Sequence, residues 1–284
     1  MMRRKCYSLL LPGGKKLLLG RRTLVMGIVN VTPDSFADGG CFLEPSRAVD
    51  HALALQEAGA DLLDIGGEST RPGSEAMTSS EELRRIVPVL EKLDGRVRVP
   101  LSVDTYKAAV ANVAIDHGVS MINDVSALTY DADLARVVSE RGVPIVLMHN
   151  RGPSREMYKE ATYSNVTAEV FSELQLAIKR AVAAGVARSQ IIVDPGLGFA
   201  KRSRHSIAAL ANLVVLAGLD RPILVGPSRK SFLTTAIGDV GPSNREWATA
   251  GAVSAAVLSG AHIVRVHAVA EHADVVRTVD AIRA

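Results

Sequence analysis

Residues 27–40 read Gly-Ile-Val-Asn-Val-Thr-Pro-Asp-Ser-Phe-Ala-Asp-Gly-Gly, and this stretch guides the interpretation of the whole chain. The apolar run from Leu24 to Val29 is typical of a buried parallel strand, and it ends abruptly at Asn30. The next helical pattern begins only near Pro45, so the polar loop exceeds the roughly two to six residues of an ordinary strand-to-helix connection. Loops at the carboxyl ends of strands build the binding sites of α/β folds, and this loop therefore predicts one.

The rest of the chain repeats this pattern of a short apolar run followed by an amphipathic segment. We predict strands at Val25–Val29, Leu62–Ile65, Pro100–Val103, Ser120–Asn123, Pro144–Met148, Ile191–Val193, Ile223–Val225 and His262–Val266. Helices are predicted to begin near Pro45, Ser79, Tyr106, Asp131, Asn165, Ser203, Arg245 and Ala270. Eight such units in roughly 260 residues match a single (β/α)8 TIM barrel, with long, mobile loops after its first two strands. An open doubly wound sheet fits the same periodicity, because periodicity does not show closure.

Positive charge is concentrated in the first 22 residues, which hold seven bases and no acid. Residues 23–284 hold 26 bases and 30 acids, a net charge of −4, whereas the whole chain carries +3. We therefore predict a basic N-terminal extension over residues 1–22 and one barrel domain over residues 23–284, with no nucleic-acid partner.

Nothing in the sequence predicts a membrane segment or a secretory leader. No apolar run approaches the roughly 18 residues that cross a membrane, and the run from Leu9 to Leu11 is too short for a signal peptide. Cys6 and Cys41 lack a metal-like spacing and fit a reducing compartment. We expect a cytoplasmic protein.

Polar side chains follow all eight predicted strands, at the end where a barrel gathers its site. Asp104, Asn123 and Asp194 offer acceptors and donors for a ring rich in N–H groups and ring nitrogens. Asn30, close to Asp34 and Asp38, suits a hard divalent ion that is held mainly by a phosphate group. The candidates suited to anions or carbonyl oxygens are Thr70, Arg71, Arg229, Lys230, Arg265 and His267.

Ordinary structural roles would also explain several of these residues. Asp104 and Asp124 are placed to cap the helices that follow them, and His149 and His267 fit satisfied structural histidines. Lys230 fits a solvated loop charge. The sequence has no Gly-x-Gly-x-x-Gly after the first strand, no P-loop lysine and no zinc-like Cys/His cluster, and it establishes no Ser-His-Asp arrangement.

These motifs together make the sequence similar to the dihydropteroate synthase family, the folate-pathway enzymes inhibited by sulfonamides. The matching segments, in the family's order, are Met26–Gly40, Asp64–Gly73, Ser102–Thr105, Ile122–Val125, Asp194–Phe199, Ser228–Phe232 and Arg265–His267. The resemblance implies a transferase that joins 6-hydroxymethyl-7,8-dihydropterin diphosphate to 4-aminobenzoate. Its products would be diphosphate and 7,8-dihydropteroate.

The resemblance also implies a role for each candidate residue. The pterin ring would be held by Asp104, Asn123, Met148, Asp194 and Lys230. The diphosphate end would be served by Asn30, Thr70, Arg71, Arg265 and His267, with Asn30 acting through a Mg²⁺ cofactor. The 4-aminobenzoate pocket would be shaped by Thr70, Pro72, Phe199 and Ser231. The implied catalytic set is Asp104, Asp194, Lys230 and Asn30. Sulfonamide inhibition and a homodimer are implied as well, and the loops Asn30–Cys41 and Gly66–Thr78 would close over the substrates.

The sequence departs from the family's pattern at three positions. Family members commonly read Gly-Phe-Gly-Lys-Thr where this chain has Gly198-Phe199-Ala200-Lys201-Arg202, and an acid is usual at the position of Ala268. Alanine resists the positive φ angles that glycine adopts readily, so we expect Ala200 to restrict the backbone beside the aminobenzoate pocket.

Three other functions fit parts of the same pattern. A corrinoid-linked methyltransferase has a related pterin-binding barrel, but it needs no diphosphate site, so Ser228–Phe232 and the loop after Asn30 argue against it. An aldolase-type barrel would use Lys230 as a Schiff base, beside an unusual neighbour in Arg229. A homologue that binds pterin without turning it over would have little reason to keep the full polar set.

Overall fold

The computed structural model describes residues 4–31, 44–69, 73–152, 158–159 and 161–283. Its central feature is a sheet of eight parallel strands. These strands are β3 (Leu24–Asn30), β4 (Leu62–Gly66), β5 (Leu101–Asp104), β6 (Met121–Asp124), β7 (Ile145–Met148), β8 (Ile191–Asp194), β9 (Leu224–Val225) and β10 (Ile263–Val266). Nearly all of their residues are buried, because both faces of the sheet are covered.

The sheet closes into a barrel. Its strands pair in the order β8-β7-β6-β5-β4-β3-β10-β9. A parallel bridge between Val193 and Ile223 joins the two remaining edges, and the Val193 N–H donates to the carbonyl of Pro222 at 2.9 Å. The predicted (β/α)8 barrel is therefore confirmed, and the open doubly wound sheet is wrong.

Helices surround the barrel and follow its strands. They are α1 (Glu44–Glu57), α2 (Ser79–Leu93), α3 (Ala108–Asp116), α4 (Asp133–Arg141), α5 (Val166–Ala183), α6 (Ser203–Ala211), α7 (Thr234–Ile237), α8 (Glu246–Leu258) and α9 (Val269–Arg283). The eight predicted helices all occur, and the short α7 was not predicted. Sequence chemistry sets some of these boundaries: at the start of α2, Thr78 and Glu81 form a reciprocal capping box.

A two-stranded antiparallel hairpin precedes the barrel, formed by β1 (Tyr7–Leu10) and β2 (Lys16–Leu19). Its buried side chains pack against the residues that fill the lower half of the barrel interior. The hairpin contributes Leu9, Leu11, Leu17 and Leu19, and the barrel contributes Leu24, Met26, Leu62, Met121, Val146, Ile192, Leu224 and Ile263. The amino-terminal end of the barrel is therefore filled, which leaves its carboxyl end for a site. None of the described helices is long and apolar enough to span a membrane.

Candidate active site

Three neighbouring strands and β10 bring four polar side chains together at the carboxyl end of the barrel. Register places Asp104 beside Gly66 on one side and Asn123 on the other. The Arg265 guanidinium donates to Asp64 at 2.6 Å and to Asp104 at 2.8 Å, and the Asn123 amide donates to Asp64 at 2.9 Å. Asp64 and Asn123 are buried, so these hydrogen bonds lie in a largely water-free environment.

This cluster has unused acceptors. Among the described residues, no donor reaches Oδ1 of Asp64 or Oδ1 of Asp104, although both atoms are buried. Burial raises the pKa of Asp104 to about 7; the positive charge of Arg265 opposes that rise and the neighbouring Asp64 adds to it. Buried acceptors without partners are costly. The arrangement therefore suits a ligand that brings its own N–H donors.

A second group of residues lies across the barrel, where β8 and β9 end. Asp194 is 5% exposed and accepts from the backbone N–H of Gly196 at 2.7 Å. Lys230 donates to the carbonyl of Leu197, and its ammonium lies 4.6 Å from the ring centre of Phe199. Burial raises the pKa of Asp194, which the positive charge of Lys230 opposes. Burial also lowers the pKa of Lys230 to about 8, against the attraction of Asp194.

An apolar wall separates the two groups. Met148 packs with Tyr106 and Val125, and the partly buried Phe199 packs against the same cluster. Register pairs Met148 with Asp194 on adjacent strands. The structure therefore brings all five residues predicted for the pterin ring to one mouth, with polar edges and an apolar side.

The residues predicted for the diphosphate end are only partly described. Asn30 is half-buried at the end of β3, across Gly66 from Asp104: a Cβ atom added to Gly66 would lie within 4 Å of both side chains. His267 pairs through Nδ1 with the Ser228 hydroxyl at 2.9 Å, and its backbone N–H donates to the same oxygen. Arg265 reaches into the mouth, where it is already paired with two carboxylates.

Several predictions concern residues outside the described part of the chain. Among them are three site residues, two acids and most of the first loop: Thr70, Arg71, Pro72, Asp34, Asp38 and residues 32–43. For the 4-aminobenzoate pocket, the structure therefore places only Phe199, at the mouth, and Ser231, which is exposed at the start of a 3-10 turn directly after Lys230.

The structural explanations for the acids and histidines have different outcomes. The helix-cap interpretation of Asp104 is wrong, because α3 begins at Ala108 with Lys107 at its N-cap. The helix-cap interpretation of Asp124 is wrong as well, because α4 begins at Asp133 with Ala132 at its N-cap; the Asp124 carboxylate instead accepts from the backbone N–H groups of Ser126 and Leu128 in the preceding turn. His149 is buried and contacts the side chains of Lys201 and Glu173.

Two features of the site were not predicted. Asp64 lies within a matching segment but received no role, and its signal was an acid inside the apolar strand Leu62–Gly66. The other feature is a buried ion cluster where the second loop leaves β4. Lys107 lies between Glu68 and Glu82, at 2.5 Å from the latter, and the Tyr106 hydroxyl donates to Glu68 at 2.5 Å. Its members are spread over three segments, so no single motif reveals it.

Ala200 adopts a conformation that alanine ordinarily resists. Its φ angle is +45°, in the left-handed region that favours glycine, and the residue is fully buried. Arg202 is exposed at the N-cap of α6, and Ala268 is half-buried before α9. The residue with this strained conformation directly follows Phe199.

With this geometry established, comparison with known proteins defines the class. Residues 26–267 match the pterin-binding enzymes, and the chain belongs to that family. Its relatives include several dihydropteroate synthases and a mitochondrial folate synthesis bifunctional protein from Arabidopsis thaliana. The synthase from Bacillus subtilis is 43% identical over 260 residues, covering 92% of this chain and 88% of the relative.

Solved structures agree. The Xanthomonas albilineans dihydropteroate synthase with 4-aminobenzoic acid has a TM-score of 0.91 and 42% identity, with 99% of each chain covered. The Yersinia pestis enzyme in a sulfonamide drug complex has a TM-score of 0.90 and 40% identity, covering 97% of this chain and 98% of that one. The (β/α)8 barrel is thus shared over almost the full length of the chain.

Proposed function

We propose that this chain joins 6-hydroxymethyl-7,8-dihydropterin diphosphate to 4-aminobenzoate, forming 7,8-dihydropteroate and releasing diphosphate. The observation that carries the proposal is the buried cluster of Asp64, Asp104, Asn123 and Arg265, with two carboxylate oxygens left without donors by the described residues. A pterin ring presents several N–H donors along one edge, which is what such acceptors require. Family membership and the dihydropteroate synthase relatives favour this reaction over the methyltransferase and aldolase alternatives.

The pterin ring would lie between the two polar groups. Asp104 and Asn123 would bind one part of its edge, and Asp194 and Lys230 the other. The side chain of Met148, buried among apolar neighbours, would contact the face of the ring. Lys230 uses one of its three ammonium N–H groups on the Leu197 carbonyl, so the other two can bind a ring oxygen or nitrogen.

The chemistry follows from where charge develops. The bond between the pterin methylene carbon and the diphosphate oxygen breaks, and its electron pair leaves with diphosphate. The lone pair of the arylamine nitrogen forms the new carbon–nitrogen bond, and that nitrogen then releases a proton. Buried carboxylates, Asp104 above all, would stabilise positive charge on the pterin methylene. Positioning and electrostatics would therefore supply most of the rate, without a covalent enzyme intermediate.

We assign the diphosphate end to Asn30, Arg265 and His267, together with Thr70 and Arg71. Within the described residues no group of three His, Cys, Asp or Glu side chains is arranged to hold a metal ion. A Mg²⁺ ion that keeps several waters and is bound mainly through substrate phosphates needs only one or two protein ligands, and the half-buried Asn30 fits that requirement. When bound, Mg²⁺ would neutralise charge on the leaving diphosphate.

We assign the 4-aminobenzoate pocket to Phe199 and Ser231, with Thr70 and Pro72. The ring of Phe199 is held against the Met148 cluster on one side and Lys230 on the other. Sulfonamides resemble 4-aminobenzoate in shape and charge, so we expect them to compete with that substrate and not with the pterin.

We also propose a homodimer that uses the outer helices. Large apolar side chains are exposed on and near α8: Trp247 is 90% exposed, Ile237 43% and Leu258 42%. Exposed apolar patches on otherwise polar surfaces mark protein interfaces. Light scattering after gel filtration should give twice the 30.1 kDa chain mass, and Trp247→Glu should give the monomer mass; a monomeric unmodified protein would contradict the proposal.

A coupled assay tests the reaction itself. Purified protein would be supplied with pterin diphosphate, 4-aminobenzoate and Mg²⁺, and both diphosphate and dihydropteroate would be measured. Asp104→Ala and Asp194→Ala should each lose at least about tenfold in kcat/KM, whereas Asp274→Ala, on the exposed face of α9, should retain full activity. Full turnover in the first two variants would overturn the assigned roles.

The metal assignment has its own test. Chelation should abolish diphosphate release and added Mg²⁺ should restore it. Asn30→Ala should raise the Mg²⁺ concentration needed for half-maximal rate, whereas the exposed Asn212→Ala should leave it unchanged. Equal Mg²⁺ dependence in both variants would remove Asn30 from the metal site.

A further inference from the structure

Lys201, which has no part in the proposed reaction, is fully buried in the segment that follows Asp194. Lys201 is 1% exposed, and its ammonium nitrogen lies 2.7 Å from Nδ1 of His149. The same nitrogen lies 3.1 Å from the carbonyl oxygens of Gly196 and Phe199, and 3.4 Å from that of His149. No carboxylate of the described residues forms an ion pair with it within 4.0 Å, so these polar but neutral groups are its immediate environment.

The number of acceptors indicates the protonation state of Lys201. An ammonium group has three N–H donors, and the three closest acceptors use all of them. Since Nε2 of His149 faces a carboxylate oxygen of Glu173 at 3.0 Å, a neutral ring carries its proton there and Nδ1 is an acceptor, so a neutral amine would turn its lone pair towards an acceptor. Burial lowers the pKa of Lys201 well below the ordinary lysine value, and the nearby carboxylate of Asp194 opposes that effect. The geometry favours the cation.

The imidazole of His149 must then present a lone pair at Nδ1 and carry its proton at Nε2. That proton lies in the correct place, because Nε2 is 3.0 Å from a carboxylate oxygen of Glu173. Glu173 is in turn paired with Arg151, whose guanidinium stacks 4.0 Å from the ring centre of Tyr163. Burial lowers the pKa of His149 to about 4, and the charge on Lys201 contributes to this effect. The ring is therefore neutral near pH 7.

The backbone that precedes Lys201 adopts left-handed conformations at several residues. Three alternate residues have positive φ: Gly196 at 64°, Gly198 at 81° and Ala200 at 45°. The peptide carbonyls of Gly196 and Phe199 accordingly face the lysine instead of solvent. The same segment begins with Asp194 and carries Phe199, so its shape sets the positions of two proposed substrate contacts.

Lys201 also contributes positive charge near Asp194, which is buried. Asp194 is attracted by both Lys230 and Lys201, which approach it from different segments.

We propose, on the basis of the proposed function, that Lys201 is a positioning residue for the pterin site: an internal cation that fixes the segment 194–201 and supports the ionised form of Asp194. It does not touch the substrate. It acts through the backbone that carries Asp194 and Phe199.

The first test is the pH dependence of pterin binding, measured by calorimetry with pterin diphosphate and with the pterin alone. Asp194 is faced by Lys230, Lys201, Arg265 and the N–H of Gly196, so loss of one cation makes its ionised form less stable. Lys201→Met should move the acid limb of the binding curve upwards by about one pH unit, a tenfold loss on that limb.

Lys179→Met provides the control, because Lys179 is exposed on α5 and the substitution is chemically identical. It should leave both the pH curve and the affinity unchanged. A purely structural role for Lys201 would lower the amount of active protein without moving the acid limb. An unmoved limb in folded Lys201→Met protein therefore overturns the proposal.

The second test needs no substrate and no variant of Lys201. In protein labelled with ¹⁵N-histidine, long-range ¹H–¹⁵N spectra distinguish the two neutral tautomers, and His149→Gln assigns the signal. We expect His149 to be protonated at Nε2 only, with no titration between about pH 6 and 8. Protonation at Nδ1 would overturn the proposal, since that nitrogen could not accept from Lys201. Failure of the wild-type protein to bind any pterin would instead overturn the proposed function and leave this result standing.

Discussion

Replacement of Ala200 by glycine tests whether the left-handed backbone at this position carries strain. An L-residue in that conformation costs about 1–2 kcal/mol relative to glycine, and Ala200 adopts it with φ at +45°. Two effects oppose the relief. Glycine raises the entropy of the unfolded chain by about 0.4–1 kcal/mol, and loss of the fully buried methyl group removes about 0.8 kcal/mol. The net change in the free energy of unfolding should lie within about 1 kcal/mol of zero.

The same substitution at an unstrained position supplies the comparison. Ala181 is also fully buried, but it lies inside α5 with ordinary helical geometry. Ala181→Gly loses the same methyl group and about 1 kcal/mol of helix propensity, with no strain to relieve. It should therefore destabilise the protein by about 2 kcal/mol.

Thermal unfolding followed by circular dichroism separates the two cases. A change of 1 kcal/mol moves the midpoint by about 2–4 °C in a domain approaching this size, so Ala181→Gly should lower Tm by about 4–8 °C. Ala200→Gly should move it by less than about 4 °C in either direction. An equal drop in both variants would refute the strain argument. The hydrogen bond from the Tyr163 hydroxyl to the Ala200 carbonyl, at 3.0 Å, does not involve the side chain and is kept in the variant.

Three further predictions concern stability. The folded-state pKa of Asp104 is raised from its ordinary value to about 7, so its contribution to stability is present below about pH 4 and is lost as pH rises through 7. Urea midpoints of the ligand-free protein should therefore fall across that range more steeply in wild type than in Asp104→Asn. Parallel curves for the two proteins would contradict this. Leu9→Ala in the hairpin should lower the free energy of unfolding, measured in urea, by about 2–5 kcal/mol because Leu9 is fully buried. Leu10→Ala, at the half-exposed neighbour, should lower it by less than about 0.5 kcal/mol. Equal losses would mean that the hairpin is not part of the core. Lys107→Met should lower the free energy of unfolding by about 3–5 kcal/mol, because it leaves the buried Glu68 and Glu82 without a cation. Adding Glu82→Gln to that variant should recover part of the loss, because it removes one of the two buried negative charges. No recovery would contradict the ion-cluster argument.

The barrel strands could be predicted because parallel strands buried on both faces give continuous apolar runs. The predicted Leu62–Ile65 and the observed Leu62–Gly66 differ by one residue, and the other strands behave similarly. The hairpin was missed for the opposite reason. In Tyr7–Leu10 only Leu9 is fully buried, and Lys15 and Lys16 interrupt the apolar pattern at the start of β2. Four-residue strands that bury alternate side chains give a weak signal among basic residues.

The site could be predicted in its composition but not in its pairing. Barrel topology alone places Asp104, Asn123 and Asp194 at one mouth, because each follows a parallel strand. Topology does not say that Arg265 would be held between Asp64 and Asp104, since that depends on strand register and side-chain rotamers across the barrel interior. Arg265 therefore does more than the phosphate contact implied by the resemblance, because it donates hydrogen bonds to both Asp64 and Asp104.

The energetics of that pairing support a binding function more strongly than a stabilising one. Buried ion pairs often contribute little net stability, because desolvation of the charges offsets their attraction. A cluster that additionally leaves Oδ1 of Asp64 and Oδ1 of Asp104 without donors from the described residues costs more than an apolar core of the same volume. Such a cost is understandable if a ligand offsets it on binding. The N–H groups of a pterin ring would supply the missing donors, and the free energy recovered would then appear as affinity for the ring.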